Sequence, residues 1–306
     1  MRTWVIGAGG LIGSAVGAQA TNRFDPGSIP WSDDHRAKEF LADSLEQFGQ
    51  LAGSDPWSII WAAGAGTTVS PEEVFDREIS VFEHFMKAVA TGAPTGPGVV
   101  ALISSAGAVH AGSSVPPFTE STRPAPISAY GIAKLNQERI ANELLAGKVP
   151  LVICRVSNAY GPGQDLTKLQ GLVSRLALST YTREPLHLFV PTSTVRDYIF
   201  TSDIADRVHG WVDHRLTQNS REPQTVVIAS GQGTSIAYLV KTARDVSHRR
   251  IPIAMGTHPS SGDQPLNSRF VPTPIPGSAN PPLTNLPVGV KAVFDDISLR
   301  LAHAEP

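Results

Sequence analysis

The chain has 306 residues, 41% hydrophobic and 17% charged, which is material for one full domain and a smaller lobe. A net charge of −2, from 25 basic and 27 acidic residues, offers no basic surface for nucleic acid or an anionic membrane. No apolar run approaches the ~20 residues that span a bilayer, and the single cysteine, Cys154, cannot form an internal disulfide, which suits a reducing cytoplasm.

Residues 3–6 read as a short buried strand, followed by Gly7-Ala8-Gly9-Gly10-Leu11-Ile12-Gly13 and a helix to about residue 21. Glycines at 7, 10 and 13 permit a tight turn, let the backbone approach a pyrophosphate and let the helix pack closely on the strand. The helix N-terminus then offers N–H groups to phosphates. The same stretch imitates a secretory leader ending in Ala18-Gln19-Ala20, but its repeated glycines interrupt the apolar run, so it is read as part of the fold.

Residues 28–31 read as a brief second strand running into Ser32-Asp33-Asp34 and a helix to about residue 51. An acid about 20 residues beyond the glycines accepts the adenosine ribose hydroxyls and selects NAD over NADP. Asp33 is taken for that role, with Asp34 the other candidate; either also suits a helix cap, and Arg36 leaves NADP open through its 2′-phosphate. The strand expected next has no counterpart, so an abbreviated adenine pocket is expected.

Residues 57–61 form an apolar strand ending in Ala62-Ala63-Gly64-Ala65-Gly66, small enough for a cofactor to cross the sheet edge. A helix over 71–90, a Pro/Gly loop and a central strand over 99–103 follow, the last ending at Ser104-Ser105. The long Pro-rich loop 111–128 precedes a helix over 128–145 that carries Tyr130 and Lys134 one turn apart on one face. An ammonium beside a phenol favours the phenolate, lowering a pKa that is ordinarily ~10. Alternating strands and helices argue a doubly wound parallel α/β sheet, a Rossmann arrangement, with a smaller C-terminal lobe.

In order along the chain stand Gly7/Gly10/Gly13, Trp61-Ala62-Ala63-Gly64, Ser104-Ser105, Tyr130-x-x-x-Lys134, the run from Arg155 through Asn158 to Gly163, and Arg196-Asp197-Tyr198-Ile199. This set resembles the extended short-chain dehydrogenase/reductases of the NAD-dependent epimerase/dehydratase family, over residues 1–237. The resemblance implies Tyr130 as general acid/base and Lys134 as ligand of the nicotinamide ribose and modulator of the tyrosine. It implies Ser105 or Ser104 as hydrogen-bond donor to the reacting oxygen, and Gly7, Gly10, Gly13, Asp33, Ala62, Ala63 and Gly64 around the cofactor. Asn158 and Arg196 would meet the phosphates of a sugar nucleotide, although Arg196 also suits an ion pair with Asp197 or Asp203. Gly107-Ala108 replaces the Asp-Glu pair of a 4,6-dehydratase, which argues against that chemistry. His110 stands where the family carries tyrosine and reads as a packed imidazole or a substrate contact, and Cys154 as core.

Beyond residue 163 the expected elements are a helix ending near 182, strands over 186–190 and 225–229, and helices over 203–214 (capped by Asp203), 235–246 and 290–302. Residues 1–160 are assigned to the dinucleotide-binding domain, with 195–229 returning to it, and 161–194 with 230–306 to the substrate lobe. The functional expectation is an NAD(P)-dependent epimerase or ketoreductase for a nucleotide-activated sugar, with a homodimer left open. Its rival is a catalytically silent dinucleotide sensor of the same fold.

Overall fold

The computed structural model describes residues 1–306 except 65, 68–69, 168–169, 219, 257–263 and 305–306, so Ala65 of the second small-residue turn lies outside the described residues. Strand periodicity sorts the core into two layers. In β1 (Arg2–Ile6) Trp4 and Ile6 face one side and Val5 the other. The same alternation divides β3 (Trp57–Trp61), β4 (Gly98–Ser105) and β5 (Leu151–Val156). Strands buried on both faces need helices on both. Leu41, Phe48, Phe82, Phe85 and Ile140 bring α2 (Asp34–Ala52), α3 (Glu72–Gly92) and α5 (Ala129–Leu145) onto one face. Val16, Ile204, Val208 and Trp211 bring α1 (Leu11–Gln19) and α7 (Thr201–Thr217) onto the other.

With β2 (Arg23–Phe24) and β9 (Gln224–Ile228) these strands form, among the described residues, a six-stranded parallel sheet ordered β2-β1-β3-β4-β5-β9. The chain turns to opposite sides of β1 to make β2 and β3, and a crevice opens at the carboxyl ends of strands at such a switch point. The second strand corrects the expectation: it lies at 23–24, not 28–31. Phe24 is the residue that reaches the core, beside Trp4 and Phe48, while Pro26 and Pro30 cannot donate to a ladder.

Local caps fix where helices begin. The Asp33 carboxylate accepts the His35 and Arg36 N–H groups at the head of α2, Ser105 that of Ala108 in the short α4 (Ala106–Val109), and Ser128 that of Gly131 in α5. Ser235 does the same for α8 (Ile236–Ser247).

The remaining elements pack around a third core. Here β8 (Val195–Phe200) pairs with β6 (Asn158–Tyr160), β10 (Gly233–Ser235) and β12 (Asn267–Ser268), and β7 (Leu186–Leu188) pairs with β11 (Ile253–Met255). Leu176 of α6 (Leu172–Thr182), Leu239 of α8, and Val293 and Ile297 of α9 (Leu286–Ala304) fill it. Residues 195–200 thus lie in a small separate sheet, and the chain returns to the large one with α7, not at 195. Nor does Asp203 cap α7: Phe200 holds that position, and the Asp203 carboxylate accepts the Thr284 N–H and hydroxyl at 2.9 and 2.8 Å. The segment after β12 crosses back: the Phe118 N–H donates to the Arg269 carbonyl at 2.8 Å and the Thr273 N–H to the Val227 carbonyl at 3.0 Å. Among the described residues no helix is long and apolar enough to cross a membrane.

Candidate active site

The carboxyl ends of β1, β3, β4 and β5 open into a cleft of about 1070 Å³, which the third core closes from the far side. Its first wall is the glycine turn. Gly7 has a φ of +90°, and a Cβ there would stand 2.5 Å from the Ala63 nitrogen; a Cβ on Gly13 would strike the Gly7 carbonyl. Packing therefore explains those two. At Gly10 the nearest atom to a Cβ is the Gly7 oxygen, at 3.4 Å, and at Gly9 nothing stands within 4 Å. Internal packing leaves that space free, on the cleft side of the turn, at the head of a helix with no side-chain cap. A backbone cradle at an uncapped helix N-terminus fits a diphosphate. Ala62, Ala63 and Gly64, at the end of β3, line the cleft next to it.

Past the switch point lie Tyr130, Lys134 and the serine pair. Neighbours on a strand point to opposite sides, and this separates the serines. Ser104 is buried and its hydroxyl donates to Glu138 at 2.5 Å. Ser105 is the one beside Tyr130, where its hydroxyl favours the phenolate. Burial outweighs that: the Tyr130 phenol is pushed up to about 12, with the negative charge of Glu78 adding to the rise. This departs from the expected lowered phenol. The Lys134 ammonium, 5.9 Å from the ring centroid, donates instead to Gln137 at 3.1 Å. Burial lowers the lysine's pKa, and Glu78 and then Glu138 oppose that fall.

Glu78 is a residue that sequence reasoning missed. It lies on α3, lines the cleft, and accepts the Gly66 N–H at 2.7 Å. A Cβ on Gly64 would meet both Lys134 Nζ, at 3.5 Å, and Glu78 Oε2, at 3.7 Å, so carboxylate and ammonium flank the same turn. The signal for it is its place one helix turn after Val74 and Phe75, on a face turned to the sheet's carboxyl edge.

Beneath these groups is a buried polar network. Arg155 at the end of β5 donates to both Glu138 oxygens, the shortest contact being 2.7 Å, and its Nη1 lies 3.3 Å from His110 Nε2. His110 is a packed imidazole: it stacks on Phe118 at 5.5 Å, and burial, with Arg155 beside it, lowers its pKa to about 4. Cys154 is core, its thiol raised to about 12 by burial.

At the lobe side, Asn158 and Arg196 both line the cleft. Arg196 Nη1 donates to the Val195 and Pro265 carbonyls at 3.1 and 2.6 Å, and among the described residues no carboxylate pairs with it. Asp197 instead is buried, accepting from Ser157, Ser230 and Gly231 at 2.8–2.9 Å. Asp33 does not line the cleft; its carboxylate caps α2, and Asp34 lines the cleft in its place, paired with Arg77. Asp25, directly after β2, is held by Arg23 and the Gly27 N–H.

The model of the NAD dependent epimerase/dehydratase family matches residues 3–229. A dTDP-L-rhamnose 4-epimerase of Burkholderia thailandensis is 35% identical over 127 residues, 40% of this chain but only 33% of that relative's length. A dTDP-6-deoxy-L-talose 4-dehydrogenase (NAD(P)(+)) of Kitasatospora kifunensis is 25% identical over 290 residues, 87% of each chain. In fold, the chain is similar to a UDP-glucose-4-epimerase from Stenotrophomonas maltophila solved with bound NAD and formylated UDP-arabinopyranose. That likeness has a TM-score of 0.82 at 18% identity and covers 99% of this chain and 100% of the other. The ordered motifs, the glycine cradle at the switch point and the family match over residues 3–229 agree, and the chain belongs to the NAD dependent epimerase/dehydratase family, as an NAD-dependent enzyme of the extended short-chain dehydrogenase/reductase type.

Proposed function

We propose that this enzyme epimerises or reduces a nucleotide-activated sugar, with Tyr130 moving the proton. The observation that carries the reading is that one cleft is lined by the glycine cradle, by Tyr130, Ser105 and Lys134, and by Arg196. The cleft, about 1070 Å³, lies at the top of the ~300–1,000 Å³ range usual for small-molecule sites, roomy enough for a large ligand. The two relatives described above carry dTDP-sugar names, and the structural neighbour was solved with a UDP-sugar.

The glycine turn, Ala62, Ala63, Gly64 and Lys134 would hold NAD, which when bound accepts or returns a hydride. Tyr130 exchanges the hydroxyl proton of the sugar carbon that is oxidised, and Ser105 orients the same oxygen. With its pKa near 12 the phenol carries its proton at neutral pH, so in the protein alone the site is set to donate to a carbonyl oxygen. Arg196, with no acidic partner among the described residues, offers a permanent cation to the diphosphate. Epimerisation returns the hydride to the opposite face of the same sugar; reduction draws it from exchangeable cofactor.

Tyr130→Phe tests the reading. It keeps the ring but removes the transferable proton, so turnover of UDP- and dTDP-sugars is expected to fall about a hundredfold or more with NAD affinity retained. Near-normal turnover in this variant removes Tyr130 from the mechanism. NAD binding by a wild type that turns over no sugar nucleotide favours the sensor reading instead. Mass spectrometry of purified protein separates the two chemistries: retained cofactor indicates epimerisation, a requirement for added NAD(P)H indicates reduction.

A further inference from the structure

The glycine cradle places the diphosphate of the dinucleotide at the switch point beside β1, and Tyr130 and Lys134 lie on the β4 side of it. The adenosine half therefore runs toward β2. On that side the sheet stops: β2 has two residues and, among the described residues, no strand lies beyond it. In the dinucleotide-binding order of doubly wound sheets a further strand lies beyond the second.

What occupies that end is the turn between β2 and α2 together with α3. Trp31 is held in a tight turn, its N–H on the Ile29 carbonyl at 2.9 Å, and its indole lines the cleft while 44% exposed. Its ring plane stands nearly perpendicular to that of the buried Trp61, with centroids 6.2 Å apart at 87°, so that ring covers at most one of its two faces. Arg77 reaches from α3 and donates through Nε and Nη2 to Asp34, at 3.0–3.3 Å, and through Nη2 to the Ser32 carbonyl at 3.2 Å. Both charged residues line the cleft, as do Val74 and Val81. An ion pair with side chains 55% and 34% exposed adds little to folding. Its geometric effect is larger, because it ties residues 32–34 to α3 across the end of the cleft.

We propose that Trp31 and the Arg77–Asp34 pair form a purine clamp that replaces the missing strand and holds the adenine of the dinucleotide. The indole supplies a stacking face, the Asp34 carboxylate an acceptor for the exocyclic amine, and the planar guanidinium a second flat surface. The proposal rests on NAD as the cofactor.

Calorimetry and tryptophan emission with NAD and with ADP-ribose, on wild type, Trp31→Ala and Arg77→Met, test it. Base–aromatic stacking of ordinary strength predicts that Trp31→Ala weakens both ligands about tenfold or more. ADP-ribose should quench the wild-type emission, and the quench should be lost in Trp31→Ala; Arg77→Met should weaken both ligands by a smaller factor. Since Trp31 is exposed, the free variant should melt as wild type does, which separates lost binding from lost folding. ADP-ribose bound by Trp31→Ala with wild-type affinity overturns the clamp while leaving the cofactor assignment intact. A wild type that binds neither NAD nor ADP-ribose overturns both.

Discussion

Tyr130 and Lys134 were legible because one helix carries both, four residues apart, and helical spacing needs no knowledge of the rest of the chain. Glu78 was not, because it arrives from a helix that begins more than fifty residues earlier and meets them only after the sheet forms. The choice between Ser104 and Ser105 was closed for a related reason: alternation says they part company, but which side holds α5 is a tertiary fact. Glu78 bears on ionisation. Its negative charge raises the Tyr130 phenol, so Glu78→Gln should lower that pKa. In the oxidative direction, where phenolate is the working form, the rise of activity with pH should then begin at lower pH. A pH–rate profile of the variant that superimposes on wild type contradicts the assignment. Gly10→Val tests the cradle separately. A Cβ there meets only the Gly7 carbonyl, at 3.4 Å, so the fold should survive while calorimetry shows NAD affinity falling at least tenfold.

Strands and helices followed from periodicity wherever apolar residues recur, and failed where one residue does the packing. Phe24 marks β2 alone, and no pattern is legible in a single aromatic between Arg23 and Asp25. The buried network shows elements acting together: Ser104 of β4, Glu138 of α5 and Arg155 of β5 meet, and His110, after α4, joins through Arg155. His110 sits between that guanidinium, the Phe118 and Phe270 rings and the Ser113 hydroxyl, so protonating it places a cation against a cation. Its pKa falls from 6.5 to about 4 on folding. A depressed pKa contributes stability that is complete above pH 6.5 and is lost as pH falls through 4, on the order of 3 kcal/mol. Urea unfolding between pH 7 and 4 should show this loss in wild type and a flatter dependence in His110→Gln. Equal slopes across that window would mean that the imidazole is not held neutral by its site.

At the scale of the molecule, the dinucleotide half was legible because its strands are uniformly apolar and its turns carry chemistry. The other half is built from strands of two, three and six residues and from Pro-rich connections, which carry neither period. That is why the assignment of 195–229 to the dinucleotide half did not foresee that β8 pairs in the small sheet, while β9 lies at the edge of the large one. The cleft between the halves is joined through Asp197 of β8, which binds Ser157 just beyond β5. Arg196 stands beside that joint, and if it meets the sugar-nucleotide diphosphate, Arg196→Gln should cost sugar-nucleotide affinity about tenfold or more while leaving NAD affinity alone. Calorimetry with each ligand decides this, and an equal loss for both would assign Arg196 to holding the halves together.

The order β2-β1-β3-β4-β5-β9 also dictates how the chain must emerge from a ribosome. The partner of β5 is made only after residues 157–223, which at ~5–20 residues per second takes roughly 3–13 s. Throughout that interval β5, apolar on both faces, is an unpaired edge on the nascent chain, open to any other strand. Shortened versions that stop before residue 224 keep that edge permanently and are expected to aggregate, however complete their glycine turn, Tyr130 and Lys134.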